Sequence, residues 1–209
     1  MLQVQGLCKS YDGNPVLAPV SFCLPGGACL GITGENGSGK STLLRLLAQI
    51  EKPDSGTVIY REKPVLGDRG FLRTKLGYVP QHTALMEELT VARQLMLWRS
   101  ACGLEGGIPE EVMALMGLEP MLKKRIRTLS GGMKRRVSIA MALQSQPEIL
   151  VMDEATSGLD REYCEALLSW LEGFLSRGGR VIWCSHHKEE LQRLCGSCLE
   201  ISGGVARDI

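Results

Sequence analysis

Eight residues, GENGSGKS from Gly34 to Ser41, constrain this chain more than any other stretch. They match the spacing GxxxxGK[ST], and they sit between an apolar run, Cys29 to Thr33, and a stripe of Leu43, Leu46, Leu47 and Ile50 at helical spacing. A strand that turns through glycines into a helix needs neighbouring strands beside it and a sheet face beneath the helix, so an α/β fold is expected. Gly34, Gly37 and Gly39, with Glu35, Asn36 and Ser38 between them, let the backbone turn its N–H groups inward around phosphate, and the following helix adds its positive end. In this reading Lys40 reaches the β- and γ-phosphates, the Ser41 hydroxyl ligates Mg²⁺ and Thr42 supports the α- and β-phosphates. Residues 34–42 are therefore expected to bind a nucleotide with Mg²⁺, read here as ATP, although the loop alone would fit many unrelated NTPases.

With 209 residues, 44% of them hydrophobic, the chain can bury a core as one domain or one domain with an insertion. A net charge of +1, from 24 Lys+Arg and 23 Asp+Glu, gives no global electrostatic reason to expect nucleic acid or an anionic membrane as partner. No apolar run approaches the ~18 residues of a membrane span, and the start, MLQVQGLCKSY, is unlike a secretory leader. Eight cysteines lie mostly within apolar segments, where free Cys acts as a small hydrophobe, so a reducing, cytoplasmic setting is expected. Cys195 and Cys198 have CxxC spacing, but one such pair supplies too few ligands for a zinc site.

Short strands are expected at Leu2 to Leu7, at Val16 to Leu24 with a break at Pro19, and at Gly56 to Tyr60 and Leu76 to Val79. From Glu87 to about Arg127 the periodicity is helical: Thr90 caps a helix carrying Val91, Leu95 and Trp98, and a second apolar stripe holds Val112, Leu115 and Met116. A further helix follows Ser130, then an apolar strand Ile149 to Met152, a helix with Tyr163, Leu167, Trp170, Leu171 and Phe174 inward, and a strand Val181 to Cys184. The expectation is a single domain over 1–209: a doubly wound, mainly parallel core, an N-terminal antiparallel β-subdomain, and a helical subdomain inserted at about 83 to 130.

Asp153 closes the strand Ile149 to Met152, and open α/β sheets bind ligands at such strand ends. A carboxylate there suits Mg²⁺ through water. Glu154, next in sequence, can polarise the water that attacks a γ-phosphate, because phosphoryl transfer needs positioning and charge more than covalent chemistry.

With these motifs in place, the whole chain resembles the nucleotide-binding subunit of ATP-binding cassette transporters. LSGGM at Leu129 to Met133 is similar to that family's signature, and Ser130, Gly131 and Gly132 open a helix with unpaired N–H groups suited to an anion. The resemblance implies that this signature serves the nucleotide of a second copy in a head-to-tail dimer. It also implies that Gln81 senses Mg²⁺ and the γ-phosphate, that Ser157 to Asp160 cross the dimer interface, that His186 contacts the γ-phosphate, and that Tyr11 stacks on adenine. Met133 and Ala155 depart from the Gln and Pro of many relatives; SGGMKRR is similar to the variant of exporter-type cassettes. Lys134, Arg135 and Arg136 read as a solvated helix face or as attraction for nucleotide, and Leu85 and Met86 as a docking groove or as packing under the helical insertion.

The resemblance implies an ATPase subunit, peripheral to the inner face of the cell membrane, that powers export through a separate integral membrane permease. Nucleic acid is not an expected partner. The alternatives are an importer ATPase, a soluble cassette for assembly of the iron-sulfur cluster type, and a non-hydrolysing ATP sensor.

Overall fold

A computed structural model describes all 209 residues. The chain opens with a hairpin of β1 (Leu2–Tyr11) and β2 (Asn14–Leu24). Tyr11 faces Asn14 across a two-residue turn in which Asp12 and Gly13 have φ of 50° and 79°, the handedness that suits a right-twisted hairpin. The expected break at Pro19 does not occur. Leu7 and Lys9 face Val20 and Leu17, so Ala18 and Pro19 bulge opposite the single residue Cys8. On this edge strand the missing N–H of proline breaks no ladder bond. With β4 (Ser55–Tyr60) and β5 (Lys63–Pro64) the antiparallel sheet has the order β2-β1-β4-β5.

The second sheet comprises β3 (Cys29–Thr33), β6 (Leu76–Val79), β7 (Ile149–Asp153), β8 (Arg180–Cys184), β9 (Ser197–Ser202) and β10 (Val205–Asp208), in the order β10-β9-β3-β8-β7-β6. All its pairs are parallel except β10 with β9. Period-two alternation divides the central strands between two cores. Leu30, Ile32, Ile149, Val151, Ile182 and Cys184 face a core shared with the antiparallel sheet and with Leu43, Leu44, Leu46 and Leu47 of helix α1 (Lys40–Leu47). Cys29, Leu150, Met152, Val181 and Trp183 face the opposite core, covered by helices.

Helix α2 (Arg69–Thr74) was not expected; Asp68 caps it by accepting from the Phe71 N–H at 3.0 Å. Between β6 and β7 lie α3 (Val91–Ala101), α4 (Glu110–Leu115), 3₁₀ turns at Glu119–Met121 and Ile126–Thr128, and α5 (Gly131–Leu143). Thr90 caps α3 as expected, accepting from Arg93 N–H at 3.3 Å. Val91, Leu95, Val112 and Met116 are buried, but Trp98 is 40% exposed and turns outward. The chain continues through α6 (Arg161–Ser176) and α7 (Lys188–Leu194). No helix is long and apolar enough to cross a membrane.

Of the charged run after the signature, Lys134 stays partly exposed and pairs with Glu87, while the two arginines are buried, not solvated. Arg135 is 6% and Arg136 8% exposed. Arg136 donates to the carbonyls of Met116 and Gly117 and lies 3.7 Å over the Tyr163 ring. A planar guanidinium with several donors can satisfy carbonyls while its face covers an aromatic ring.

Candidate functional site

The parallel order carries the C-terminal ends of β3, β8, β7 and β6 to one edge of the sheet, and each end supplies a site residue. The loop after β3 runs from Gly34 to Gly39 into α1. Gly34 and Gly39 have φ of 135° and 110°, and a methyl group on Gly34 would collide with the Ile201 carbonyl, so both positions need glycine. Lys40, 7% exposed, donates to the carbonyls of Gly34 and Glu35 at 2.8 Å each. Its ammonium thereby lies against the loop. The Ser38 hydroxyl is buried with no partner in the chain, an acceptor and donor that an entering polar group would satisfy.

Asp153, at the end of β7, is 2% exposed and lies beside the Ser41 hydroxyl and the Cys184 thiol. Burial is the main cause that raises its carboxyl above the usual range; the neighbouring Ser41 hydroxyl, Cys184 thiol and Lys40 oppose the rise, and Glu154 adds to it. Cys184 is in turn pushed up to about 12, chiefly by burial. An anionic carboxylate held dry beside a hydroxyl is a donor set short of positive charge. Hard, oxygen-seeking Mg²⁺ uses one or two protein ligands with phosphate and water oxygens, so Ser41 and Asp153 fit it, with Gln81 in reach of the same cleft. No three acidic, His or Cys side chains are grouped to hold a metal by themselves.

Glu154 follows with φ of 50°, a left-handed backbone that costs about 1 kcal/mol for a residue with a side chain. Its N–H donates to the Cys184 carbonyl at 2.9 Å, fixing the turn. One carboxylate oxygen, Oε1, then meets both His186 Nε2 at 2.9 Å and Gln81 Nε2 at 3.3 Å. The three residues proposed for γ-phosphate chemistry thus converge from three strand ends. Gln81 is set there by Arg135, whose guanidinium donates to the Pro80 carbonyl and, at 2.6 Å, to that of Gln81. Sequence reading missed this role for Arg135, because a basic run carries no sign of which carbonyls it will meet.

A cleft of about 340 Å³ opens here, lined by Asn36, Gly37, Gly39, Lys40, Ser41, Thr42, Gln81 and Glu154 and also by Val16 and Arg45, which the sequence did not mark. Tyr11 is not in this lining. Its hydroxyl is tied to Glu51, the Lys9 ammonium lies 5.6 Å over its ring, and it stands near Thr42 at the margin. Val16 is the apolar side chain that faces the cleft.

Ser130, Gly131, Gly132 and Asp160 lie outside this cleft and come together elsewhere. Ser130 caps α5, accepting from Met133 N–H at 3.3 Å. A methyl group on Gly132 would strike the Gly158 carbonyl, so the signature packs against the segment Ser157 to Asp160. Gly131, by contrast, has open space where a side chain would go. Ser157, Gly158 and Asp160 are exposed beside it.

Glycine cradle, lysine, strand-end carboxylates and central parallel sheet define a phosphate-loop nucleotide-binding fold. Comparison with known proteins narrows this class: the family model described as ABC transporter matches residues 17–157. The chain belongs to the ABC transporter family and carries its ATPase cassette. It is 36% identical over 199 residues to the linearmycin resistance ATP-binding protein LnrL of Bacillus subtilis (strain 168), covering 93% of this chain and 64% of that one. It is 36% identical over 200 residues to the Nod factor export ATP-binding protein I of Rhizobium etli, covering 94% and 63%. The chain thus spans somewhat less than two thirds of these relatives' length. A solved ATP-binding subunit of an ABC transporter superposes with a TM-score of 0.88 at 27% identity, covering 99% of this chain and 88% of that one. A post-hydrolysis cassette dimer bound to ADP and Pi shares the fold with a TM-score of 0.89 at 24% identity, covering 100% and 98%.

Proposed function

We propose that this chain is the ATP-hydrolysing subunit of an exporter, acting as a head-to-tail pair of cassettes on a separate membrane permease at the inner face of the cell membrane. The observation that carries the pairing is the position of Ser130 to Gly132. They present the N-terminus of the 13-residue α5 outside the chain's own cleft, and nothing in the chain requires Gly131 to be bare. Unpaired N–H groups with a helix dipole suit a phosphate brought by a second molecule. In this reading residues 1–209 form one domain, with residues of about 83–130 as its helical subdomain.

Each ATP would lie in one copy's cleft, its phosphates on the 34–42 loop, with Tyr11 and Val16 at the adenine end. Ser41, Asp153 and Gln81 would hold Mg²⁺, which supplies charge neutralisation across the β- and γ-phosphates. Glu154 accepts the proton of the attacking water, His186 holds that carboxylate in place and faces the γ-phosphate, and Lys40 stabilises the departing charge. The signature of the other copy completes the anion site, and Asp160 lies at the interface between them.

Export is favoured by the names of the two relatives, one of them concerned with export and one with resistance. A permease contact is supported by an apolar groove of about 360 Å³ lined by Leu85, Trp98, Tyr78, Pro80 and Met141, among others, beside the Gln81 segment. Met86, 57% exposed, lies next to it. The test has two arms. The E154Q chain should elute as a dimer on size exclusion only with ATP, and tagged wild type should co-purify an integral membrane protein from detergent-solubilised membranes. A monomer in the first arm sinks the paired site; a soluble assembly complex in the second sinks the exporter.

A further inference from the structure

Three thiols converge at the end of the sheet opposite the nucleotide cleft. Cys29 is the first residue of β3, Cys195 caps the C-terminus of α7, and Cys198 is the second residue of β9. Cys29 Sγ and Cys195 Sγ are 3.2 Å apart although 166 residues separate them. Gly31 makes the room: a methyl group there would stand 2.6 Å from Cys198 Sγ and 3.3 Å from Cys195 Sγ. The CxxC pair thus gains a third partner from another strand, one that its spacing could not reveal.

The geometry points to a thiol modification site in which a hydroperoxide oxidant joins Cys29 to Cys195 as a disulfide that ties the end of α7 to the base of β3. Backbone placement meets the requirement. Gly196 N–H donates to the Cys29 carbonyl at 3.3 Å, and Leu30 pairs with Ser197 in the parallel ladder. Neighbouring strands stand about 4.8 Å apart, and a disulfide bridges Cα atoms roughly 4.4–6.8 Å apart, so the bond needs no large backbone shift. Cys198 does not replace Cys195 in this role, since only the Cys29 and Cys195 sulfurs are already in contact. A metal reading is not favoured, because no group of three such ligands is arranged around a common point.

The order of reaction follows from exposure and proton position. Cys195 is partly exposed while Cys29 is buried. Its hydrogen bond with Cys195, and then burial, hold the Cys29 thiol well above the usual range, so Cys29 keeps its proton. Cys195 sulfur attacks the peroxide, the O–O bond breaks, and one oxygen stays as sulfenic acid while the other leaves as water with the thiol proton. Cys29 sulfur then attacks the sulfenyl sulfur; the S–S bond forms, the S–O bond breaks, and hydroxide leaves as water with the Cys29 proton. Two thiols give two electrons to one peroxide, and dithiothreitol reverses the change.

Trypsin releases Cys29 with Cys23 and Cys195 with Cys198, so the link is best read in the C23S/C198S double variant of the full chain. After hydrogen peroxide, non-reducing mass spectrometry should show the peptide of residues 10–40 joined to that of 194–207, with a loss of two hydrogens. Amide exchange across Leu191 to Cys195 should slow tenfold or more in the oxidised form and recover with dithiothreitol. C195S should lose both signals. The inference is overturned if wild type links only Cys195 to Cys198, if Cys195 passes to sulfinic acid with no link, or if no link forms once exposed Cys23 is fully oxidised.

Discussion

Arg135 binds the main chain of Gln81: its guanidinium, in the first turns of α5, donates to the Gln81 carbonyl at 2.6 Å and to that of Pro80 beside it. The helix whose start carries the signature is therefore fastened to the loop that carries Gln81 toward the cleft of the same chain. Burial lowers the pKa of Arg135, and the carboxylates of Asp153 and Glu154 act in the opposite direction. The cation thus sits within the field of the site's acidic pair as well as on its loop.

Arg135→Ala should lower ATP turnover about tenfold, the effect of losing roughly 1.4 kcal/mol of positioning at the transition state. Lysine offers a point charge instead of a two-pronged donor, so Arg135→Lys should recover less than half of the loss. Steady-state hydrolysis of both variants, beside their thermal midpoints, checks this. Equal turnover in R135A and wild type would place Gln81 without help from Arg135.

Glu154→Gln keeps the shape of the side chain and removes the carboxylate proposed to accept the proton. Turnover should fall by about 10²–10⁴, the usual worth of a positioned general base. The variant should still bind ATP, because the phosphate loop is untouched. Single-turnover hydrolysis and equilibrium nucleotide binding separate the two effects, and a variant with wild-type turnover would mean that Glu154 is not the group that takes the proton.

The parts of the site that are contiguous in sequence were legible there. Gly34 to Thr42 encode their own geometry, since the glycines, lysine and hydroxyl act within one turn of chain. Asp153 and Glu154 were legible because an apolar strand ends on them. Arg135 was not: a basic run has the same pattern whether water or distant carbonyls satisfy it, and the partners at Pro80 and Gln81 lie about 55 residues away. Pro19 misled for a related reason, because its cost depends on a neighbour's register, and the bulge opposite Cys8 removes it. Trp98 follows Val91 and Leu95 in helical phase, yet one face of a short helix can serve both a core and an open groove.

That groove gives a prediction independent of the chemistry. Trp98→Asp places a charge among Leu85, Tyr78 and Met141 without touching the nucleotide cleft. ATP-dependent dimerisation in the E154Q background should be retained, while recovery of the proposed membrane partner in pull-downs should fall at least fivefold. Loss of dimerisation as well would mean that the groove contributes to the fold and not to docking.

Asp153 offers a test by pH. Its folded pKa is raised, chiefly by burial, so the folded chain holds that proton more firmly than the unfolded chain does. The favourable contribution is complete below the unfolded value of about 3.9 and is lost as pH rises through the folded value. At neutral pH the ligand-free chain therefore carries a buried charge at a cost. Asp153→Asn removes the charge, and its thermal midpoint at pH 7 without nucleotide should exceed wild type by about 2 °C or more, the gap closing as pH falls into the carboxylate range. With Mg-ATP the order should reverse, because in the proposed reading the wild-type carboxylate and Ser41 would hold the cation, and binding to the folded state alone raises its stability. Thermal scans from pH 4 to 8, with and without Mg-ATP, read both signs; a variant less stable than wild type at pH 7 without ligand would show that the polar surroundings supplied by Ser41 and Cys184 outweigh burial.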